Sequence, residues 1–505
     1  MVQVIDPPVT IPQIPQTRLL PRDNDYSEIG GATTGSAKIL TKHLTYQVQA
    51  EWYGAVADGT TDNTAAFLAA ATAVDAAGGG VILLRAGIYK VSTVVTFTSL
   101  DKVSWLGSGS GQTVVKSAVA VGTPGAGDPY IFFFNACTDF SVRDITFNGD
   151  NIVTTAANTM LVGALSCTNL RFENIQCINF KRFGLGINSC VRFWVNKSYY
   201  LRTTTENSYQ NGSIRLFATA GTCGPGWIED NEIDGAGIGY EGTDITYAFN
   251  RITNFGYGAG IVTNASATSL RAHIIGNIIS GGTGQDVDGT YPSGIESYGA
   301  YSRIIGNHCR NNSGNGITFG GQQNIVADNI CIDNGSVANV GVGIANNYQD
   351  ATYNGSYSLV SNNICRQVGG IYQGYGYADI GVGNASTSLS FTNNDFSANG
   401  TADFLKSATS TLYSWVGKVY QFSDSWNPGL IAAGASATKA VTAAGATQGD
   451  FVQVSFVTQA NDGLMPSGYV YGTNTALAIL FNPTGAGVTP ASGTVYVSVT
   501  KKAPF

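Results

Sequence analysis

A short apolar phrase with asparagine at its centre recurs along the second half of the chain, as in YAFNRI, HIIGNII, RIIGNHC and LVSNNIC. The asparagines follow one another at spacings of 19 to 34 residues: Asn231, Asn250, Asn277, Asn307, Asn329, Asn363 and Asn394. A Gly-Ile pair falls between most of them, ending at Ile238, Ile261, Ile295, Ile317, Ile344 and Ile371. Short Ile- and Val-rich segments bounded by Gly, Asn, Asp and Ser predict repeated β-strands rather than helices.

Stacked coils of such strands predict an all-β fold, a right-handed parallel β-helix in which each coil pairs with its neighbours. Side chains alternate along a strand, so if the asparagines point inward, the residues two positions later do so too. That column is apolar throughout: Ile233, Ile252, Ile279, Cys309, Cys331, Cys365 and Phe396. Three of the eight cysteines are therefore expected in the core, as reduced thiols.

The segment before the repeats predicts an N-terminal capping helix. It reads YGAVADGTTDNTAAFLAAATAVDAAGGGVILLRAGIYKV, an alanine-rich helix with Thr61, Asp62 or Asn63 as N-cap, followed by a glycine stop and two strands. The segment resembles the opening of the pectate-lyase-like β-helix superfamily, especially of bacteriophage tailspikes, although Tyr53 replaces the usual Phe. In that superfamily the helix covers the open end of the β-helix, which implies a capping or turn role for Asp62.

The two ends of the chain differ from the repeats. Residues 1–48 are proline-rich and polar, and the resemblance implies a connector that docks on a phage tail or baseplate. Residues 49–410 form the predicted β-helix domain, which would bind glycan and carry the catalytic site. Residues 411–505 contain alternating segments such as GDFVQVSFV and SGTVYVSVT, which predict a linker and a small antiparallel β-sandwich. This part resembles the C-terminal domains of phage tail proteins and is expected to make a homotrimer.

Composition narrows the possible functions. Among 505 residues the net charge is −7, which argues against nucleic acid as a partner. The start MVQVIDPPVTIPQIPQ lacks the features of a secretory signal, and no apolar run is long enough to predict membrane insertion. HExxH, CxxC, GxSxG and phosphate-loop motifs are absent, so no metal and no cofactor are predicted.

Outward-facing carboxylates are the strongest catalytic candidates. The residues one and three positions after each Gly-Ile pair are expected to point outward, which places Glu296 and Glu241 two coils apart, roughly 10 Å between strands. Inverting glycoside hydrolases hold their carboxyl groups ~6.5–9.5 Å apart. The loop GGTGQDVDGTYP would bring Asp286 and Asp288 beside Glu296. We therefore predict Glu296 as one member of an acid/base pair, with Asp286, Asp288 or Glu241 as the other. The alternative is that these acids only solvate the surface or hold loops.

Two long coils carry the tyrosine-rich loops NNYQDATYNGSYS and YQGYGYAD. Tyrosine combines a flat apolar face with a hydroxyl group, which suits sugar rings, although loop packing or a subunit contact would also use it. The predicted substrate-binding residues are Tyr298, Asn347, Tyr348, Asp350, Tyr353, Tyr372, Tyr375 and Arg303.

The resemblance implies a virion protein that acts outside the cell, at the host surface, on capsule, O-antigen or exopolysaccharide. The expected reaction is endo-glycosidic hydrolysis by paired carboxylates. A polysaccharide lyase is the first alternative, in which Arg251, His308, Arg310 or a tyrosine would serve as base or charge neutraliser. A non-catalytic receptor-binding fibre or adhesin is the second.

Overall fold

The computed structural model describes residues 46–117, 129–149, 160–180, 182–202, 212–219, 221–256, 258–264, 270–284, 291–336, 341–346, 355–369, 373–379, 387–405, 411–416, 419–457 and 463–500. Three long parallel sheets run from Gln47 to Val416, and most coils give one strand to each. The last parallel strand ends at Val416, beyond the boundary expected at residue 410.

The strand bounds are as follows. Sheet I has 14 strands: Gln47–Gln49, Gly80–Leu83, Val103–Leu106, Thr138–Arg143, Thr168–Glu173, Val191–Asn196, Gly226–Glu229, Ile245–Ala248, His273–Ile275, Arg303–Ile305, Ile325–Ala327, Leu359–Ser361, Thr387–Thr392 and Thr411–Val416. Sheet II has 12: Asp58–Asp62, Gly87–Val91, Thr113–Ser117, Thr146–Asn148, Gln176–Ile178, Tyr199–Leu201, Glu232–Asp234, Arg251–Thr253, Ile278–Ser280, His308–Arg310, Ile330–Ile332 and Ile364–Arg366. Sheet III has 12: Val95–Thr98, Pro129–Asn135, Met160–Leu165, Phe183–Asn188, Gly212–Phe217, Gly237–Tyr240, Ile261–Thr263, Ile295–Ser297, Ile317–Phe319, Gly341–Asn346, Gln373–Asp379 and Ala402–Leu405.

The recurring asparagines form a buried asparagine ladder at the turn from sheet I to sheet II, made of Asn231, Asn250, Asn277, Asn307, Asn329, Asn363 and Asn394. The Nδ2 of each member donates to the Oδ1 of the next at 2.9 to 3.0 Å. The same Oδ1 accepts the backbone N–H of the preceding member at 2.9 to 3.1 Å. The ladder satisfies backbone groups that would otherwise be buried without a partner.

Each of these turns contains two residues between the strands. The first has a left-handed backbone with φ of 52° to 67°, and the second is the ladder asparagine; the first residues are Asp230, Phe249, Gly276, Gly306, Asp328, Asn362 and Asn393. Asn, Asp and Gly adopt this conformation more readily than other residues. The preference accounts for the Gly-Asn, Asp-Asn and Asn-Asn pairs in the repeated phrase.

The predicted inward column is confirmed. Ile233, Ile252, Ile279, Cys309 and Cys331 pair in register along sheet II and are fully buried. All eight cysteines are buried and free, which confirms the expected reduced thiols. They stand in two internal columns, one in sheet II and one at the turn from sheet III to sheet I: Cys177, Cys309, Cys331 and Cys365, and Cys137, Cys167, Cys190 and Cys223.

An α-helix over Thr64–Ala76 packs on the first coils, preceded by a 3₁₀ turn over Ala50–Tyr53. The Phe67 ring lies 5.4 Å from Trp105 and 5.7 Å from Tyr89, centroid to centroid. Asn63 is the N-cap residue, but its side chain binds the backbone of Val56 and other residues rather than the helix.

Asp62 accepts the backbone N–H groups of Thr64 and Ser92, and Asp58 accepts those of Thr60 and Thr61. Both carboxylates therefore fix local turns, and for Asp62 this is the role that the resemblance implies.

The C-terminal part consists of two three-stranded antiparallel sheets, which confirms the expected small antiparallel β-domain. Sheet IV has the strands Val419–Trp426, Gly493–Thr500 and Phe451–Val457, and sheet V has Ser436–Thr442, Thr475–Phe481 and Met465–Gly472. Alternate residues of the central strands, such as Val495, Val497, Ala478 and Leu480, form one buried cluster. The opposite residues of sheet V face outward.

Candidate functional site

The outward face of sheet III carries the candidate site. Its isoleucines, including Ile238, Ile261 and Ile295, are buried in the core, so the residue that follows each of them faces outward. The resulting column runs in register along successive strands: Gly239, Val262, Glu296, Thr318 and Ala345. This is the column expected from the sequence.

Glu296 lies at the centre of this face, on Ile295–Ser297, and is partly exposed. The strand is held from inside by Ser297, whose hydroxyl accepts a hydrogen bond from Thr263 at 3.1 Å. Tyr298 follows directly, and its side chain is only 9% exposed. Burial, and then the negative charge of Glu296, raise the pKa of Tyr298 well above its ordinary value. Glu296 thus has a neutral phenol as its neighbour.

Glu241 follows the strand Gly237–Tyr240 of sheet III and is partly exposed. Its Oε2 accepts the backbone N–H of Ala218 at 2.7 Å, which fixes the orientation of the carboxylate. Two pairing steps, from Gly239 to Val262 and from Val262 to Glu296, separate the strands of the two acids. At ~4.8 Å per step the two strands are roughly 10 Å apart.

The backbone beside Glu241 requires glycine. Gly239 has φ of 110°, and a Cβ atom built there would lie 2.2 Å from the carbonyl oxygen of Val262. Tyr240 follows with φ of 119°, a backbone conformation that residues other than glycine rarely adopt. The strand is therefore distorted at the point where it presents Tyr240 and Glu241.

An arginine that the sequence did not single out lies next to this distortion. Arg215 pairs with Gly239 on the outward side of sheet III, yet it is only 4% exposed. Its Cζ lies 3.4 Å from the ring centroid of Tyr240 and 5.7 Å from those of Phe183 and Phe217. We call Arg215, Phe183, Phe217 and Tyr240 the Arg215 cluster. Burial lowers the pKa of Arg215 to about 10, so the guanidinium stays charged at neutral pH.

The other residues predicted for the site do not all lie on the same face as Glu296. Tyr375 is on sheet III, three strands beyond Glu296, where it packs with Val342, Ala345 and Ala378. Arg303 is exposed on sheet I, because it belongs to the asparagine phrase, and so it does not share the face of Glu296. Tyr298 is too buried to offer its ring to a sugar. Seven predicted residues lie outside the described part of the chain: Asp286, Asp288, Asn347, Tyr348, Asp350, Tyr353 and Tyr372.

The residues named for a lyase lie on another sheet. Arg251, His308 and Arg310 belong to sheet II, on the strands Arg251–Thr253 and His308–Arg310. Within the described ranges, no group of three or more His, Cys, Asp or Glu side chains could hold a metal ion. No described helix is long and apolar enough to span a membrane.

Comparison with known proteins gives partial matches in sequence. No protein-family profile matches the chain. The chain is 35% identical over 103 residues to the mannuronan C5-epimerase AlgE6 of Azotobacter vinelandii, and the match covers 19% of this chain and 12% of that protein. The chain thus spans only a small part of the curated relatives that it matches.

Comparison with solved structures extends over most of the chain. The A-module of the mannuronan C-5 epimerase AlgE4 of Azotobacter vinelandii aligns with a TM-score of 0.54 at 18% identity, covering 73% of this chain and 100% of that one. The surface adhesin PfbA of Streptococcus pneumoniae aligns at 0.51 and 14% identity, covering 72% and 92%. The Dettilon tailspike protein aligns at 0.47 and 16% identity, covering 93% and 97%. The expected fold is confirmed: the chain is a right-handed parallel β-helix, the fold of the epimerase A-module.

Proposed function

We propose that this protein is a tailspike that binds a bacterial surface polysaccharide and cleaves it by endo-glycosidic hydrolysis. The observation that carries the proposal is the pair of carboxylates Glu296 and Glu241 on the outward face of sheet III, two strands apart. Hydrolysis with inversion needs one carboxyl group to protonate the leaving oxygen and another to activate water on the opposite side of the sugar. A roughly 10 Å separation of their strands leaves room for both a sugar and a water molecule.

We assign the base role to Glu241 and the acid role to Glu296. The hydrogen bond from the Ala218 N–H orients the Glu241 carboxylate, as a group that positions water requires. Glu296 lies beside the buried phenol of Tyr298 and is partly exposed, so it can reach a glycosidic oxygen. Asp286 and Asp288 remain candidates for the partner of Glu296.

The test is digestion of a panel of capsular, O-antigen and exopolysaccharides, with the products sized by chromatography. We expect one polymer to be shortened to oligosaccharides, and Glu296→Gln to slow its cleavage by at least about 10²-fold while binding persists. Glu241→Gln, Asp286→Asn and Asp288→Asn identify the partner. If Glu296→Gln cleaves as fast as the wild-type protein, the assignment of Glu296 is wrong. If the polymer is bound but never shortened, the protein is a receptor-binding fibre.

A second candidate is proton abstraction at C5 of a uronate, and the sequence match to mannuronan C5-epimerases favours it. In β-elimination a base takes the C5 proton, the C4–O bond breaks, a C4=C5 double bond forms and the leaving oxygen gains a proton. Absorbance near 235 nm in the digest detects that double bond, whereas hydrolysis gives none. An epimerase would change the sugar's NMR spectrum without shortening the polymer.

We also propose that three copies of the chain assemble through the C-terminal domain, and that residues 1–48 attach the trimer to the virion. The outward face of sheet V supports an interface there. Met465, Tyr469 and Tyr471 are 59%, 49% and 63% exposed, and Leu477 and Phe481 pair beside them on the same face. Large exposed apolar groups on one sheet face are typical of subunit contacts. Light scattering of the whole chain measures the stoichiometry.

A further inference from the structure

Arg215 is a buried cation without a carboxylate partner. None of the ion pairs found among the described residues includes Arg215, and its Nε has no hydrogen-bond acceptor. Tyr240 and then Glu241 attract the guanidinium, but Glu241 directs its Oε2 to the Ala218 N–H. Burial of an unpaired charge opposes folding, so an arginine in this state is more typical of a ligand site than of a scaffold.

The surroundings of Arg215 define which side is open to a ligand. Phe183 is fully buried, whereas Tyr240 and Phe217 are partly exposed, so we expect a ligand to approach beside these two rings. Tyr240 covers Arg215 most closely, and its backbone is held at a φ of 119°. A partly exposed aromatic ring stacked on a cation supplies both a surface for a sugar ring and a polar hydroxyl.

We propose that the Arg215 cluster is a subsite that binds the carboxylate of an acidic sugar, so that the substrate is a polysaccharide containing uronate or a similar acid. This inference rests on the proposed function, because it names the class of polymer that the outward face of sheet III takes. A guanidinium presents parallel N–H donors whose geometry matches the two oxygens of a carboxylate. In this arrangement the guanidinium donates to the carboxylate, and the Tyr240 ring lies against the sugar.

The Arg215 cluster lies on the same outward face of sheet III as Glu296. Arg215, Gly239, Val262 and Glu296 follow one another in register on the outward face. Three steps of ~4.8 Å place the strand of Arg215 roughly 14 Å from that of Glu296. The carboxylate bound by Arg215 therefore belongs to a sugar residue other than the one whose linkage is cleaved beside Glu296.

Titration calorimetry of the whole protein tests the subsite. The probes are D-glucuronate, D-galacturonate and D-mannuronate, each compared with its neutral parent sugar at the same ionic strength. We expect at least one uronate to bind at least about 10-fold tighter than its neutral parent, as a charge-assisted pair gives. Arg215→Gln should remove this preference. Arg192→Gln is the matched control, since Arg192 is exposed on sheet I, and it should retain the preference.

Two further variants separate the possible failures. Arg215→Lys keeps the charge without the planar fork, and it should bind the uronate more weakly than wild type. This variant tests the subsite even if Arg215→Gln does not fold. Glu296→Gln should lose cleavage and keep uronate binding. The subsite is overturned if the wild type binds uronates and neutral sugars equally. It is also overturned if Arg215→Gln keeps the preference for uronate, or if Arg215→Lys keeps that preference in full. Normal cleavage by Glu296→Gln refutes the assignment of Glu296 as the catalytic acid and leaves the subsite standing.

Discussion

The asparagine ladder gives the most direct test of what holds the coils together, and Asn307→Ala is the sharpest perturbation. Asn307 is fully buried in the middle of the ladder. Its Oδ1 accepts both the backbone N–H and the Nδ2 of Asn277, and its own Nδ2 donates to Ile274 and Asn329. Alanine removes these four bonds and a longer one, at 3.3 Å, from the Nδ2 to the carbonyl oxygen of Ile305.

The magnitude follows from which groups keep another partner. The Nδ2 of Asn277 still reaches the carbonyl of Tyr247, and the Oδ1 of Asn329 still accepts the backbone N–H of residue 307. The backbone N–H of Asn277 loses its acceptor inside the core, at a cost of about 1–3 kcal/mol. The lost hydrogen bond to the Ile274 carbonyl adds about 1 kcal/mol, so we expect a loss of about 2–4 kcal/mol in the free energy of unfolding.

The assay is guanidinium unfolding followed by far-UV circular dichroism, with unfolding rates measured alongside in case refolding is incomplete. Asn427→Ala is the control, since Asn427 is exposed and outside the ladder; its effect should stay within about 0.5 kcal/mol. Asn307→Asp keeps the acceptor and replaces the donor by a buried carboxylate oxygen, so it should be at least as damaging as alanine. A loss for Asn307→Ala no larger than that of the control would refute the view that the ladder stabilises the coils.

Three further outcomes are expected. Met465→Lys places a charge on the exposed apolar face of sheet V and should lower the trimer fraction in light scattering. Gln453→Lys, at an exposed position on sheet IV, is the control and should leave the trimer fraction unchanged; an unchanged trimer in Met465→Lys would contradict the interface. The buried thiols should react with a thiol reagent only after unfolding; burial also raises the pKa of the Cys309 thiol well above its ordinary value. Rapid labelling of the native protein would contradict this prediction. The guanidinium of Arg271 lowers the pKa of Asp244, so the stability that this pair adds is present above the unfolded pKa of about 4 and disappears as pH falls through the folded pKa. Asp244→Asn should therefore be slightly less stable than wild type at pH 7, by under about 1 kcal/mol, and this difference should shrink as the pH falls through the folded pKa in matched unfolding curves.

The repeated phrases predicted the scaffold because they carry its physical constraints directly. A buried turn needs a side chain that both donates and accepts, and a left-handed backbone before it favours Gly, Asp or Asn, so both requirements are visible in single letters. The inward column at Ile279 and Cys309 and the outward column at Glu296 follow from strand alternation alone.

The sequence was less informative about which side chains are covered. Arg215 was missed because its strand, GSIRLF, lacks the Gly-Ile pair that marked the later strands, although an arginine between Ile214 and Leu216 was a usable signal. Arg303 could have been assigned to sheet I from its place in the phrase that leads to Asn307. The burial of Tyr298 depends on packing beyond its own strand, which strand periodicity does not encode.

The two-residue turn at the asparagine ladder also limits where insertions can be accepted as the sequence evolves. Its length is the same from Asp230 to Asn394, so an insertion there would interrupt a continuous row of hydrogen bonds. The variable spacing between asparagines arises instead in the segments that flank sheet III, next to Glu296 and Arg215. Loops beside sheet III can therefore be exchanged, lengthened or transplanted between related chains without disturbing the core. A protein built in this way can acquire specificity for a new polymer while its scaffold stays the same.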